Sequence, residues 1–217
     1  MEECIIGSGP SNTLLGKYTF VSCWTKDSKE SIALWKLYTD MIGVRIALDS
    51  DMFVTYDVKT INRSFFNQRE KYFDDYKISA YTNNVNPIDI QYTDDIKGKV
   101  EKLIQRVGNP GTLIQKDKIG VFKNNQWEFQ RESRFIITVD PIDKNAKDQS
   151  TTTAMLSNRE ISDKHLYIDL KEGVFDRMEI MAGPKTDECD HIIIKSLLKT
   201  YCKDADISMR NSEIKIR

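Results

Sequence analysis

The amino-acid sequence predicts an α+β fold, a single domain with a mixed, mostly antiparallel sheet of short strands and three or four helices. The 217 residues suffice for one domain with a substantial core, assigned to residues 17–217 after a loose N-terminal segment, residues 1–16, that lacks periodicity. Alternation of apolar and polar residues, typical of half-buried strands, recurs along the chain. Helical segments interrupt it irregularly, whereas a doubly wound parallel sheet requires strict alternation.

The first elements are a strand, a helix and a second strand. Aromatic and β-branched residues predict a strand over residues 18–24. Asp27 and Glu30 have the spacing of a capping box, so a helix is predicted after them, ending before Gly43. The alternation over residues 44–48 predicts the second strand.

The middle of the chain is predicted to hold two more helices. Aromatic residues among charges over residues 62–76 favour an amphipathic helix, although the aromatic content leaves a strand open. Residues 88–93 alternate as a strand. Asp94 then caps a helix whose apolar spacing continues to Gly108, and residues 109–111 form a turn.

The next segment contains the most informative strand. Residues 119–122 are predicted as a short strand and residues 127–139 as a longer one, which Pro141 ends. The polar, irregular residues 143–162 are interpreted as a long loop or lid.

The last quarter combines short strands with one helix. Thr186 is predicted to cap this helix, which the apolar spacing of Ile192, Ile193, Leu197 and Tyr201 indicates. A Gly-Pro turn with a helix cap explains residues 183–186 better than an anion site does. The predicted strands are residues 165–170, 178–181, 207–209 and 214–216.

A row of polar residues on the longer strand is the main candidate site. At strand periodicity, Glu128, Gln130, Glu132 and Arg134 lie on one face, about 7 Å apart in succession. An acid, an amide, an acid and a guanidinium in that order suit a polar ligand. The alternative is that the other face packs a core while this one forms cross-strand ion pairs in water.

A second set of candidates comes from the first three elements. If those elements pack together, Ser22, Trp35, Tyr38 and Arg45 supply a hydroxyl, two rings and a cation to one pocket mouth. The helical spacing of Trp35 and Tyr38 puts both rings on one side of the helix. Core packing explains Trp35 equally well.

Composition argues against several classes of protein. Lys+Arg 32 against Asp+Glu 33 gives a net charge of −1, without the basic field of nucleic-acid binding. Four scattered cysteines and two histidines lack the spacing of a metal site, and so few cysteines favour a reduced, cytoplasmic protein. The sequence has neither an apolar run of membrane-spanning length nor a signal peptide.

Catalysis, if present, is predicted to use a carboxylate. Neither His165 nor His191 lies near a Gly-x-Ser-x-Gly turn, the motif that carries a serine nucleophile. Neither lies near a cysteine in a setting suited to catalysis. Glu132, flanked by Gln130 and Arg134, is the candidate, because a strand holds a carboxylate in fixed geometry against a sugar hydroxyl or a developing positive charge.

Five segments together resemble a bacterial family known only as a domain of unknown function. Its pattern is a Ser-x-Trp/Ser strand, a Trp-x-x-Tyr helix, a Gly-Val-x-Ile strand, a Trp-x-Tyr-Glu-x-Glu-x-Arg strand and a Gly-Pro turn. The matching segments, which span nearly the whole chain, are residues 22–25, 34–38, 43–46, 127–134 and 181–184. Members usually begin with a further strand and an Asn-Asp-Pro segment, which this sequence lacks. The resemblance implies no reaction.

A second resemblance does imply a reaction. Gln130-Arg131-Glu132 is similar to the Gln/Glu-x-Glu motif of mono-ADP-ribosyltransferases, whose final glutamate bonds the ribose of NAD and helps nicotinamide leave. The resemblance implies NAD as substrate, Glu132 as the key carboxylate and Gln130 as the target-orienting amide. By analogy, Ser22 and Tyr38 serve as the hydroxyl and the stacking ring, and Arg45 or Arg134 neutralises phosphate.

Three functions follow from these observations. The first is an ADP-ribosyltransferase-like enzyme that binds NAD or a related nucleotide. The second is a non-catalytic ligand-binding or regulatory module, in which Glu128, Glu132 and Arg134 form a structural ion-pair network. The third, a nuclease or nucleic-acid partner, lacks both the basic excess and a cluster of metal-binding carboxylates.

Overall fold

The computed structural model describes residues 14–108, 111–142, 150–202 and 207–216. The α-helices in these ranges are α1 (Ile32–Thr39), α2 (Ile96–Glu101), α3 (Thr151–Leu156) and α4 (Glu188–Tyr201). The strands are β1 (Thr19–Thr25), β2 (Val44–Ala47), β3 (Tyr56–Val58), β4 (Asn62–Ser64), β5 (Glu70–Tyr72), β6 (Tyr76–Ser79), β7 (Ile88–Asp89), β8 (Gln91–Tyr92), β9 (Ile104–Arg106), β10 (Thr112–Ile114), β11 (Phe122–Lys123), β12 (Glu132–Thr138), β13 (Asp140–Pro141), β14 (Glu179–Ala182) and β15 (Met209–Asn211). Short 3-10 helices span Leu15–Tyr18, Ala80–Thr82, Lys116–Lys118 and Asn125–Gln130.

The predicted α+β class, with short and mostly antiparallel strands, is confirmed. The strands form several small sheets instead of one continuous sheet. The residues divide into two compact units: residues 1–26 and 55–168 belong to the first, and residues 27–54 and 169–217 to the second.

The central sheet of the first unit has the order β1-β12-β7. β1 pairs with β12 along its full length, from Thr19 opposite Thr138 to Thr25 opposite Glu132. β12 is almost entirely buried. Because directly opposed residues of an antiparallel pair share one face of the sheet, Cys23, Glu132 and Arg134 lie on the same face.

The second unit contains a sheet of order β2-β14-β15. β14 and β15 are parallel and are connected through α4, whereas β14 and β2 are antiparallel. Its buried cluster consists of Trp35, Met41 and Met181, with Ile214 packed against it.

Four predicted strands are confirmed, each within about two residues. Residues 18–24 correspond to β1, residues 44–48 to β2, residues 178–181 to β14, and residues 88–93 to the short strands β7 and β8. In all four, apolar residues alternate or β-branched residues accumulate, so local preference and tertiary pairing agree.

The predicted strand over residues 127–139 is wrong in its first part. Asn125–Gln130 form a 3-10 helix, in which the Asn124 side chain accepts a hydrogen bond from the Gln126 amide. Arg131, in the left-handed region with φ 44°, then reverses the chain into β12. Glu128 and Gln130 therefore do not share a strand face with Glu132.

Two predicted helices in the middle of the chain are also corrected. Residues 62–76 contain no helix: β3 pairs with β4, and β5 with β6, in antiparallel pairs. Tyrosines and phenylalanines fit a pleated surface as well as a helix, and here pairing decides. The helix after Asp94 is capped by Asp95 and ends at Glu101, because Ile104–Arg106 pair with β10.

Several remaining predictions fail or lie outside the described residues. Residues 165–170 form no strand beyond a bridge between Phe53 and Leu170, residues 214–216 form none, and the strand predicted over residues 207–209 begins at Met209. Residues 1–13, 109–110 and 143–149, on which other predictions fall, lie outside the described residues. Within the loop predicted over residues 143–162, residues 151–156 form α3. Leu15, which was predicted to belong to a loose N-terminal segment, is buried.

The predicted helix caps are displaced along the chain. Ser31, and not Asp27, caps α1 by accepting a hydrogen bond from the Leu34 amide at 3.3 Å. α1 ends at Thr39, four residues before Gly43, with Asp40 in the left-handed region as its C-cap. Asp187, and not Thr186, caps α4 in a capping box with Asp190.

Replacing Ser31 by alanine removes the acceptor for an otherwise unpaired amide of the first turn of α1. We expect the free energy of unfolding to fall by about 1 kcal/mol. Urea denaturation measures this loss. The matched control is Ser28→Ala, at an exposed serine before the cap, which should change the free energy of unfolding by less than about 0.5 kcal/mol. Equal losses in the two variants would contradict the assigned cap.

Candidate functional site

Glu132 is fixed at the junction of a 3-10 turn and a strand. It is the first residue of β12 and follows the left-handed Arg131. Its backbone amide donates a hydrogen bond to the Tyr92 hydroxyl oxygen at 2.8 Å, and its carbonyl accepts one from the Ile90 amide at 3.0 Å. Residues 90–92 thus hold both backbone groups of Glu132.

The Glu132 carboxylate is buried and binds two cations. Arg134 donates from Nε to Oε1 at 2.6 Å and from Nη2 to Oε2 at 3.1 Å. Lys123 Nζ lies 3.0 Å from Oε2. The Glu132 side chain is only 7% exposed, and Lys123 and Arg134 are 13% and 15% exposed. We call these three residues the Glu132 cluster.

Further contacts hold the two cations in place. Lys123 also donates a hydrogen bond to Gln130 Oε1 and lies over the Trp127 ring, 5.1 Å from its centroid. Arg134 donates from Nη1 to the Gly120 carbonyl at 2.8 Å. Gln130 is buried, so its amide belongs to the same polar interior.

The electrostatics of the cluster keep Glu132 ionised. Burial acts to raise the pKa of its carboxyl group, but hydrogen bonds from Arg134, Cys23 and Lys123 outweigh burial and lower the pKa from 4.5 to about 2. The charge of Glu132 correspondingly helps to raise the pKa of Arg134 against the opposing effect of burial.

Cys23 lies opposite Arg134 in the pairing of β1 with β12. Desolvation, followed by a hydrogen bond to Glu132 and the charge of Glu132, raises the pKa of the Cys23 thiol to about 11. The thiol is therefore protonated at neutral pH. Because the thiolate is the reactive form, Cys23 is unsuited to act as a nucleophile.

The cluster joins only part of the predicted polar row. Gln130, Glu132 and Arg134 come together through Lys123, but Glu128 is exposed on the 3-10 helix. Ser22 lies opposite Phe135 and therefore on the other face of the sheet from Glu132, where its hydroxyl oxygen accepts a hydrogen bond from Trp24 Nε1 at 2.8 Å.

Trp35 and Tyr38, in the second unit, have different surroundings. Trp35 is buried in the Met41–Met181 cluster and donates from Nε1 to Glu30 Oε2 at 3.0 Å. Tyr38 is 68% exposed. The core-packing interpretation of Trp35 is confirmed.

Arg45, also in the second unit, is engaged with backbone carbonyl groups. Its guanidinium donates to the carbonyl oxygens of Asp27, Ser28 and Lys29 at 2.8, 3.1 and 3.3 Å. Through these bonds Arg45 stabilises the loop before α1.

Sequence reasoning missed Lys123 and Cys23. Lys123 reaches the site because β8 and β11 pair in parallel, with Tyr92 opposite Lys123. No local pattern reports a two-residue parallel pairing between segments about 30 residues apart. Cys23 had a usable signal, because its strand was predicted, but its register against Arg134 was not.

Besides a second buried ion pair, Lys116 with Asp140, the described ranges contain a small hollow. A hollow lined by Phe65, Phe66, Ile78, Val85, Ile137 and neighbouring residues encloses about 10 Å³, room for at most one water molecule. The described residues contain no group of three or more His, Cys, Asp or Glu side chains placed to hold a metal ion. None of their helices combines the length and apolar character needed to cross a membrane.

Comparisons of the chain with protein-family models, with curated proteins and with solved structures found no match.

Replacing Glu132 by glutamine leaves Lys123 and Arg134 buried without their counter-charge. We expect the free energy of unfolding to fall by about 3 kcal/mol, since breaking a buried ion pair from one side strands the other charge. Chemical denaturation measures the loss. The control Glu128→Gln, on an exposed side chain, should change the free energy of unfolding by less than about 0.5 kcal/mol. A similar small change in both variants would contradict a structural role for Glu132.

The stability that Glu132 supplies should depend on pH. Its pKa is about 2 in the folded protein against an ordinary value of 4.5, so protonation favours the unfolded chain. The stabilisation is complete above the ordinary pKa and is lost as pH falls towards the folded-state pKa. We expect the difference in unfolding free energy between wild type and Glu132→Gln to shrink from about 3 kcal/mol at about pH 6 to nearly zero at about pH 2. A difference independent of pH would contradict this assignment.

Proposed function

We propose that the chain is a non-catalytic interaction module and that the Glu132 cluster is a structural ion-pair network. One observation carries this proposal: both oxygens of the Glu132 carboxylate are bonded to cations inside the protein. A catalytic carboxylate must direct an oxygen at the substrate during the reaction. Here a substrate would first have to displace Arg134 or Lys123.

The position of the cluster supports a structural role. It lies where β12 begins, between the Thr25 end of β1 and the short strands β7 and β8. A buried, hydrogen-bonded ion network of this kind fixes register because a shifted strand would separate the carboxylate from its cations. It therefore specifies how the 3-10 helix enters the central sheet.

The surface of the second unit supports a role in binding a protein partner. Large apolar side chains are exposed on α1 and α4, among them Leu37, Tyr38, Ile193, Leu197 and Tyr201. Concentrations of exposed apolar side chains mark interaction surfaces more often than unused surface. The described cysteines, Cys23, Cys189 and Cys202, are free, which suits a module that works in the reducing cytoplasm.

A specific observation favours a second candidate, an ADP-ribosyltransferase-like enzyme with NAD as substrate. Gln130, Arg131 and Glu132 form a turn that opens a strand, and Lys123 bonds to both Gln130 and Glu132. The one carboxylate and two cations of the cluster sum to a net charge of +1, which suits a phosphate group.

Binding and turnover of NAD distinguish the two candidates. The interaction module predicts that NAD leaves the midpoint of thermal unfolding unchanged and that no nicotinamide is released. The enzyme predicts a midpoint that rises with the logarithm of NAD concentration. It also predicts nicotinamide release that Glu132→Gln abolishes and the control Glu128→Gln retains, which would overturn the non-catalytic proposal.

A further inference from the structure

α4 exposes an uncharged face along its whole length. Positions three and four apart lie on one side of a helix, and the arc of α4 from Ile192 round to Leu197 contains no charged residue. The residues of this face, all exposed, are Cys189, Ile192, Ile193, Ser196, Leu197 and Thr200. We call it the α4 face. Asp190 and Tyr201 border it beyond Leu197. Leu197 is 53% exposed.

The two hydroxyl groups within the α4 face are turned back onto the helix. Ser196 Oγ donates to the Ile192 carbonyl at 2.8 Å, and Thr200 Oγ1 donates to the Ser196 carbonyl at 2.8 Å. Each hydroxyl satisfies its own donor inside the helix, so it needs no water partner for its proton. A partner can therefore cover the α4 face at little cost in lost hydrogen bonds.

The partly buried side of α4 carries fewer apolar side chains than the exposed α4 face. Ile194 and Leu198 are partly buried, and no residue of α4 is fully buried. A helix normally turns its largest apolar residues towards the core. In α4, the larger set of apolar side chains faces outwards.

The charges beside the α4 face are separated along the helix. Glu188 lies at the start of α4, whereas Lys195 and Lys199 lie in its second half, and helical spacing places all three along one edge of the face. All three are exposed, and none forms an ion pair with another described residue. The helix macrodipole alone favours this order of charges, but it does not explain the apolar side chains beside them.

A second copy of α4 in antiparallel orientation complements both features. A two-fold axis perpendicular to the helix lays the α4 face against itself, as isologous dimers require. It also brings the Glu188 end of each helix beside the Lys199 end of the other, on the same edge of the pair. A basic membrane-binding helix would instead carry cations along its whole polar side, whereas the polar side of α4 includes the acidic Glu188.

From this complementarity we infer that the protein forms a homodimer through antiparallel pairing of its α4 faces. The inference rests on the proposed function, since it names a second copy of this chain as the partner of the interaction module. One helix of 14 residues buries an area at the lower end of specific interfaces. The dimer should therefore dissociate on dilution.

Sedimentation equilibrium of the full chain over about a thousand-fold range of concentration tests the inference. We expect a monomer–dimer equilibrium that Leu197→Glu weakens at least about tenfold. Leu113 is 51% exposed and lies in the first unit, so Leu113→Glu is the matched control that should leave dimerisation unchanged. Circular dichroism verifies that both variants are folded.

Charge reversal tests the antiparallel orientation. Glu188→Lys and Lys199→Glu should each weaken the dimer about fivefold, and the double variant should restore it. If Glu188 and Lys199 act only on the helix dipole, the double variant should dimerise more weakly than either single variant, because the charges at both ends of α4 then oppose the dipole.

Three results would overturn the inference: a monomer at every concentration, a dimer that Leu197→Glu leaves intact, or failure of the double variant to restore pairing. Binding of monomers to vesicles of phosphatidylcholine and phosphatidylglycerol would point to a lipid surface instead. A monomer would not rescue the catalytic alternative, because the NAD measurements on Glu132→Gln decide that question separately.

Discussion

The ion pairing of Glu132 with Arg134 and Lys123 is the interaction on which the structure around β12 in the first unit depends. It joins the start of β12 to β11 and, through Gln130, to the 3-10 helix before the strand. A buried carboxylate with one cation removed is strongly unfavourable, so the arrangement is held as a whole or lost as a whole. The same bonding that fixes the geometry also occupies the oxygens that a catalytic carboxylate would need.

The sequence predicts the parts of the fold in which local preference and long-range pairing agree. β1, β2 and β14 combine β-branched residues with alternation and are found within two residues of their predicted positions. Residues 62–76 show the opposite case, because aromatic side chains suit helix and strand alike and only the partner strands decide between them. In the polar row, residues 127–130 alternate apolar and polar side chains as a strand would, yet they belong to a 3-10 helix. Nothing local marks Arg131 as the left-handed residue that ends this helix.

The Glu132 cluster and the exposed residues of α4 show the same limit of prediction from sequence, because contacts between distant segments leave no local pattern. The acidic and basic partners Glu132 and Arg134 were predictable because they share one strand, two positions apart. Lys123 was not, because it arrives through a parallel pairing of two residues. In α4, the apolar spacing predicts the helix but not the direction of its apolar face, which is set by what the rest of the second unit covers. The ion pairs of Glu132 are thus buried in the first unit, whereas apolar side chains of α4 are exposed in the second.

The most direct test replaces the whole Glu132 cluster by apolar residues of similar size. Glu132→Leu alone should lower the free energy of unfolding by about 3 kcal/mol, because two cations remain buried without an anion. Adding Lys123→Met and Arg134→Met should recover stability to within about 1 kcal/mol of wild type, since no charge is then left unpaired. If the triple variant is as unstable as Glu132→Leu, or if Glu132→Leu is as stable as wild type, the carboxylate is not the structural anion proposed here.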